Sequence, residues 1–227
     1  MDFNAKFLLI QAPVILFALT VHEFCHAWVA NMLGDDTAKA QGRLTLNPIA
    51  HLDIMGTILM FLVGFGWAKP VPVNSLNFKD PRRGMLLVAI AGPISNLVMA
   101  IIAGVVLRFL IPAVAGFSFS ATTAGVVSVM VVMIILTLIY GLTLAIFNMI
   151  PLAPLDGSRV LYGLLPLRYA DAFIRLEPYG MIILFALFIF ADRVFTYVLW
   201  YPVSVCTEYL SGYSYLQLSY FWKSLIS

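Results

Sequence analysis

The 227-residue sequence predicts an α-helical integral membrane protein: about four transmembrane helices, a re-entrant segment and a small membrane-associated β-hairpin or sheet. Three observations lead there. The chain is 62% hydrophobic and 11% charged, with a mean hydropathy of +0.98, far more apolar than a soluble domain of this size requires. Several apolar runs are long enough to cross roughly 30 Å of hydrocarbon. The longest loop region contains two stretches whose polar and apolar residues alternate with the period of a strand. The net charge of +2 comes from scattered basic residues and leaves no nucleic-acid footprint. Two cysteines, Cys25 and Cys206, provide neither a disulfide framework nor a paired-cysteine metal knuckle.

The long apolar runs are residues 7–33, 85–111, 123–150 and 181–205. The last is the least clean, because Asp192 and Arg193 fall near its middle, where an ionisable group costs a few kcal/mol unless paired or snorkelling. Although Lys6 precedes the first run, no small-residue cleavage site follows, so this run is expected to belong to the mature protein. A further run, 54–68, is short and carries Gly56, Gly64 and Gly66, which weaken a helix. Charge decides its topology. Were it to span, Lys69, Lys79, Arg82 and Arg83 would be exported, against the rule that cytoplasmic loops collect basic residues. A re-entrant segment instead keeps 34–84 inside, places the uncharged 112–122 outside and returns Arg159, Arg168 and Arg175 to the cytoplasm. The first and third spans are then parallel, with their C-terminal ends in the cytoplasmic half.

Within that loop, Arg43-Leu44-Thr45-Leu46-Asn47 lies between Gly42 and Pro48, and Lys69-Pro70-Val71-Pro72-Val73-Asn74 also has period two. Prolines strip the donors from one edge of the second stretch, so as a strand it pairs through the edge of Val71 and Val73. One reading is two extended loops. The other is a small sheet whose open edge, on the proline-free strand, holds an unwound substrate peptide by strand addition, with His51 lining the same cavity.

His22-Glu23-Phe24-Cys25-His26 lies inside the first apolar run. Histidines four apart share one face of a helix and can grip a zinc ion, and the adjacent glutamate can take a proton from water at the metal. An unpaired glutamate and two histidines are costly in lipid, and metal binding compensates them. The third span ends in Asn148-Met149-Ile150-Pro151-Leu152-Ala153-Pro154-Leu155-Asp156-Gly157, where two prolines prevent a continuous helix. Irregular backbone at membrane depth normally lines a cavity, so Asp156 is placed to be the third zinc ligand; alternatively it caps the helix that follows. His51 and Cys25 are further conceivable ligands, with a hydrogen-bonded histidine and a small buried side chain as their plainer readings. Gly92, Ser95 and Asn96 read as a close helix-packing site.

The segments HEFCHAW, GDDTAKAQGRLTLNPIAHLD, GWAKPVPVN, GPISN and NMIPLAPLDGSRVL, in this order over residues 22–161, resemble the compact, PDZ-less branch of the site-2 protease family of intramembrane zinc metalloproteases. The resemblance implies one Zn²⁺ held by His22, His26 and Asp156. It further implies Glu23 as general base and acid, and Asn148 as a residue that stabilises the oxyanion or orients substrate. The implied substrate is a single-span membrane protein or a signal-peptide remnant, and the implied location is the cell membrane, with the active site towards the cytoplasmic half. The expectation is one membrane-embedded domain over 1–227, with a core at 7–165 and a C-terminal helix and tail at 166–227. Two other classes compete. An ion transporter would spread ionisable groups through several spans and show an internal repeat, neither of which is found. A silent helix-binding protein would have no use for Glu23 beside an open metal position.

Overall fold

Asp80 starts the longest helix of the chain: its carboxylate accepts from the main-chain N–H of Arg82 at 3.1 Å and Arg83 at 3.0 Å, satisfying donors that have no partner inside the helix. In this computed structural model, which describes residues 5–56 and 67–226, helices of this kind dominate. Helix α1 is Ala5–Met32, α2 is Pro81–Ala115 and α3 is Ala121–Asn148. Over these three lie stretches long and apolar enough to cross a membrane. The chain is a membrane protein.

Side-chain exposure agrees with lipid as the solvent. Along α2 the apolar Ile94, Leu97, Val98, Ile101, Ile102, Val105, Val106 and Phe109 form a continuous stripe at helical spacing, each 40–71% exposed. Water would penalise such a stripe, whereas acyl chains do not. The opposite face of the same helix buries Asn96, Ala100, Ala103 and Leu107. Helix α1 buries Val14, Ala18, His22, His26 and Ala30, one residue every four, so the two histidines belong to its inward face. Gly34, at φ 103°, ends α1 in the left-handed conformation that glycine adopts freely, and the Asp35 N–H returns to the Ala30 carbonyl at 2.9 Å.

The third span stops where its prolines require: α3 ends at Asn148, residues 149–155 run through turns, and α4 (Asp156–Leu164) begins at the aspartate. The fourth apolar run differs from expectation. It divides into helical stretches Glu177–Phe190 and Arg193–Ser211, interrupted at Ala191, just before the charged pair. The described residues therefore hold three continuous candidate spans, or four if the broken pair counts as one. Of the 54–68 run, residues 57–66 lie outside the described residues, and the re-entrant segment with them.

The chain divides into two compact units. One comprises residues up to 18, 96–146 and 190 onward; the other comprises 19–95 and 147–189. In the first, Val14, Val132 and Leu136 are buried among Ile10, Met133, Tyr140 and Trp222. In the second, Ala27, Ala38 and Val71 form one apolar cluster with Leu44 and Val73, and Ala30, Phe78 and Val88 form another. All candidate functional residues lie in the second unit.

The predicted hairpin or sheet is not supported. Among the described residues there is no sheet, and the β-pairing is a single antiparallel bridge between Leu52 and Ala68. Residues 44–46 form bends, and Asn47 Oδ1 accepts from Ile49 N–H at 3.1 Å to cap a short 3₁₀ turn, Pro48–His51. Residues 69–74 continue from that bridge without forming a ladder: the Lys69 donor makes the bridge's own hydrogen bond, and the donors of Val71 and Asn74 are taken by side chains. Lys69 N–H donates to the His51 carbonyl at 2.9 Å, Val71 N–H to Glu23 Oε2 at 3.1 Å and Asn74 N–H to Asp35 Oδ2 at 2.8 Å. Alternation alone did not reveal that side chains from distant elements take the bonds a partner strand needs.

Candidate metal centre

Three donor atoms converge at the heart of the second unit. His22 Nε2 lies 3.0 Å from His26 Nε2 and 3.1 Å from Asp156 Oδ2, and His26 Nε2 lies 3.2 Å from the same oxygen. Ligand atoms bound tetrahedrally at about 2.05 Å stand roughly 3.3 Å apart, close to this triangle. Proton bookkeeping points the same way. His26 Nδ1 lies 2.7 Å from the Val88 carbonyl, which can only accept, so Nδ1 carries the proton and the Nε2 of a neutral imidazole presents a lone pair. Asp156 Oδ2 is buried without a hydrogen-bond partner. Lone pairs facing one another in an apolar interior repel unless a cation lies among them. Both histidines are buried, and these three residues form the group of His, Cys, Asp or Glu side chains able to hold a metal among the described residues.

Each of the three side chains has a structural reason for its place. The four-residue spacing on α1 brings the histidine rings edge to face, with centroids 4.6 Å apart and planes at 86°. The Val88 carbonyl, from α2, fixes the tautomer of His26, the usual outer-shell arrangement for a metal-binding histidine. One turn further along α2, Gly92 leaves room for both rings: a Cβ there would lie 2.4 Å from His26 Nε2 and 2.6 Å from His22 Nε2. Gly157 lets the proline-broken loop fold back against α4, since a Cβ at that position would lie 2.3 Å from the Met149 carbonyl oxygen. From sequence Gly92 has only a helix-packing role, and the Val88 carbonyl carries no signal. No side-chain motif signals a main-chain carbonyl that orients a ligand.

Glu23 follows His22, and its Oε2 accepts from Val71 N–H. Asn148 is the last residue of α3, eight positions before Asp156. The expected peptide-binding residues are dispersed in role. Arg43 is buried, and its Nη2 donates to the Lys69 carbonyl at 2.6 Å. Leu44 and Val73 pack against buried Val71. Leu46 is exposed. Thr45 Oγ1 accepts from Asn47 N–H, and the Thr45 carbonyl accepts from His51 Nε2 at 2.8 Å. His51 and Cys25 stand outside the donor triangle.

Asp35 organises the loop beside this site. It is fully buried and accepts from the Thr37 N–H and hydroxyl, the Asn74 N–H and the Asn77 amide. Burial pushes its carboxyl up, but these hydrogen bonds outweigh that and hold it below the usual carboxylate range.

Two histidines and a carboxylate converging on one point, in a chain with helices of membrane-crossing length, define a membrane-embedded metalloenzyme. The chain belongs to Peptidase family M50, which matches residues 11–191. It is 45% identical over 186 residues to the protein named "Putative zinc metalloprotease YwhC" of Bacillus subtilis, covering 82% of each chain. It is 28% identical over 180 residues to "Putative zinc metalloprotease Rip2" of Mycolicibacterium smegmatis, covering 77% of this chain and 64% of that one. A Rip2 of Mycobacterium tuberculosis is also 28% identical, over 185 residues, with the same coverage. No solved structure matches the chain.

Proposed function

We propose that the protein is an intramembrane zinc metalloprotease that hydrolyses peptide bonds in or near the transmembrane segments of membrane-protein substrates. His22, His26 and Asp156 hold one Zn²⁺ per chain. The observation that carries this reading is the mutual 3.0–3.2 Å approach of their donor atoms, with Asp156 Oδ2 left without a hydrogen-bond partner. Family membership and the names of the relatives support zinc and proteolysis. When bound, zinc supplies Lewis acidity, lowering the pKa of water towards neutrality and polarising a peptide carbonyl.

The residues of the chain do the rest. Glu23, adjacent to a ligand and anchored through one carboxylate oxygen, receives the proton of the attacking water and returns it to the leaving amine. Asn148, at the end of α3, donates to the developing oxyanion, a contribution of the kind worth about 3 kcal/mol. Of residues 43–47, 51, 71 and 73, the unwound substrate lies over Leu44, Thr45, Leu46, Asn47 and Val73, which are not fully buried, while the buried Arg43, His51 and Val71 support the site without touching it. The substrate is a single-span membrane protein or a signal-peptide remnant, whose peptide bonds become accessible only once its helix unwinds. The whole chain works as one membrane-embedded domain in the cell membrane, its site in the cytoplasmic half, as the distribution of basic residues indicates.

The test is cleavage of a single-span substrate by purified protein in lipid with added zinc, with Glu23→Gln as control. Cleavage by the wild type and none by the variant is expected. Equal cleavage by both would remove the assigned base.

A further inference from the structure

Val71 stands between Pro70 and Pro72. A proline carries no N–H and has its φ fixed near −65°, so this run presents one main-chain donor with none on either side. That donor meets Glu23 Oε2 at 3.1 Å. A shift of the segment by one residue in either direction would bring a proline nitrogen to the carboxylate and leave it without a partner.

The segment is also clamped. Two residues before Val71, Lys69 is held at both of its main-chain groups: its N–H donates to the His51 carbonyl at 2.9 Å and its carbonyl accepts from Arg43 Nη2 at 2.6 Å. In extended backbone, residues i and i+2 direct their polar groups to the same edge. The clamp and the Glu23 contact therefore share one edge. Its parts are buried at a cost: Arg43 is 6% exposed and His51 2% exposed, and Arg43 Nε and His51 Nδ1 have no hydrogen-bond partner. Holding a guanidinium out of water for one carbonyl of an ordinary loop is poor energetics. Setting the orientation of the base is a return that fits the cost.

We propose that Val71 is a positioning residue, its single main-chain N–H held in place by Arg43 and His51 so that Glu23 is anchored through Oε2 and keeps Oε1 for the proton of water. This rests on the protease reading above. A general base works only within hydrogen-bond reach and correct aim, and small misplacements cost up to about 100-fold.

The test replaces Val71 by its α-hydroxy analogue through nonsense suppression, which exchanges the N–H for an ester oxygen and keeps the side chain. Arg43→Met and Arg43→Lys accompany it. The expected result for the ester and Arg43→Met is a fall in kcat of tenfold or more, KM within twofold of wild type and full zinc content, with Arg43→Lys recovering part of kcat. A rise in KM at constant kcat would overturn the proposal and leave the segment a substrate contact. A second readout needs no turnover. Glu23, Glu177 and Glu208 are the three glutamates of the chain, so ¹³C-glutamate infrared spectra, with Glu23→Gln subtracted, isolate the carboxylate band of Glu23. The band is expected to shift in the ester variant, and an unmoved band overturns the proposal. An inactive wild type would sink the protease reading, whereas the infrared measurement would still decide the contact.

Discussion

Gly92 is placed so that a Cβ on it would lie 2.4 Å from His26 Nε2. The missing side chain is therefore part of the metal centre. Alanine is normally favoured over glycine inside a helix by roughly 0.5–1 kcal/mol. Gly92→Ala is accordingly expected to leave the helix intact while weakening zinc affinity by about 10- to 100-fold, the usual cost of disturbing groups around the ligands. Competition with a calibrated chelator measures the affinity, and circular dichroism checks the helix content. Wild-type affinity in Gly92→Ala would mean that the histidines do not face α2 as described.

Gly157 faces backbone. A Cβ there would lie 2.3 Å from the Met149 carbonyl oxygen and 2.5 Å from that of Ile150, atoms that cannot rotate away. Gly157→Ala is expected to displace the turn that delivers Asp156 and to abolish cleavage while every ligand side chain remains. Gly163 is the contrasting control, because the atoms nearest its Cβ would belong to the Leu86 side chain and not to backbone. Gly163→Ala is expected to lose much less activity. Equal rates for the two variants would detach loop geometry from the site.

Asp35 is a target for pH. Its carboxyl is held below the ordinary range in the folded protein by donors from Thr37, Asn74 and Asn77, which outweigh the opposing effect of burial. A depressed folded-state pKa means that its contribution is fully present above the unfolded value, about 3.9, and is lost as pH falls below that towards the folded value. Thermal unfolding in detergent is expected to show the wild type losing more stability than Asp35→Asn between pH 5 and pH 3, both figures being about one unit from the aspartate reference. At neutral pH the variant is expected to be less stable by about 1–3 kcal/mol, since a buried charged acceptor has been lost. Parallel pH profiles would show that the carboxylate is not what fastens 74–77 to the end of α1.

Much of this arrangement was legible in the chain, for physical reasons that differ by residue. His22 and His26 are four apart on a helix, so one spacing rule placed both on one face, and the same face proved to be the buried one. Pro151 and Pro154, three residues apart, each remove a helix hydrogen bond and crowd the preceding turn, and the break before Asp156 followed. The alternation at 43–47 and 69–74 misled, because period two reports extended backbone and not what pairs with it. Here the partners are Glu23, Asp35, Arg43 and the His51 carbonyl, contacts that link residues 18–48 apart in sequence. Hydropathy likewise marked 181–205 as one run, and the hint of its interruption at Ala191 was the charged pair Asp192 and Arg193 that follows.

The ligands and the base are separable by zinc itself. A metal that binds the folded state alone stabilises it by RT ln(1 + [L]/Kd), about 4 kcal/mol when free zinc is a thousandfold above Kd. Removing His22, His26 or Asp156 leaves two donors of the triangle and a buried group without its counterpart. In His22→Ala and Asp156→Ala the zinc-induced rise in melting temperature is therefore expected to disappear. Glu23 contributes no atom to the triangle, and its oxygen is engaged by Val71. Glu23→Gln, which keeps an oxygen able to accept that bond, is expected to retain the full zinc-induced rise while losing cleavage. Melting curves with zinc, with chelator and with zinc restored decide the assignment. A full zinc response in Asp156→Ala would remove it from the ligand set, and a lost response in Glu23→Gln would make Glu23 a ligand.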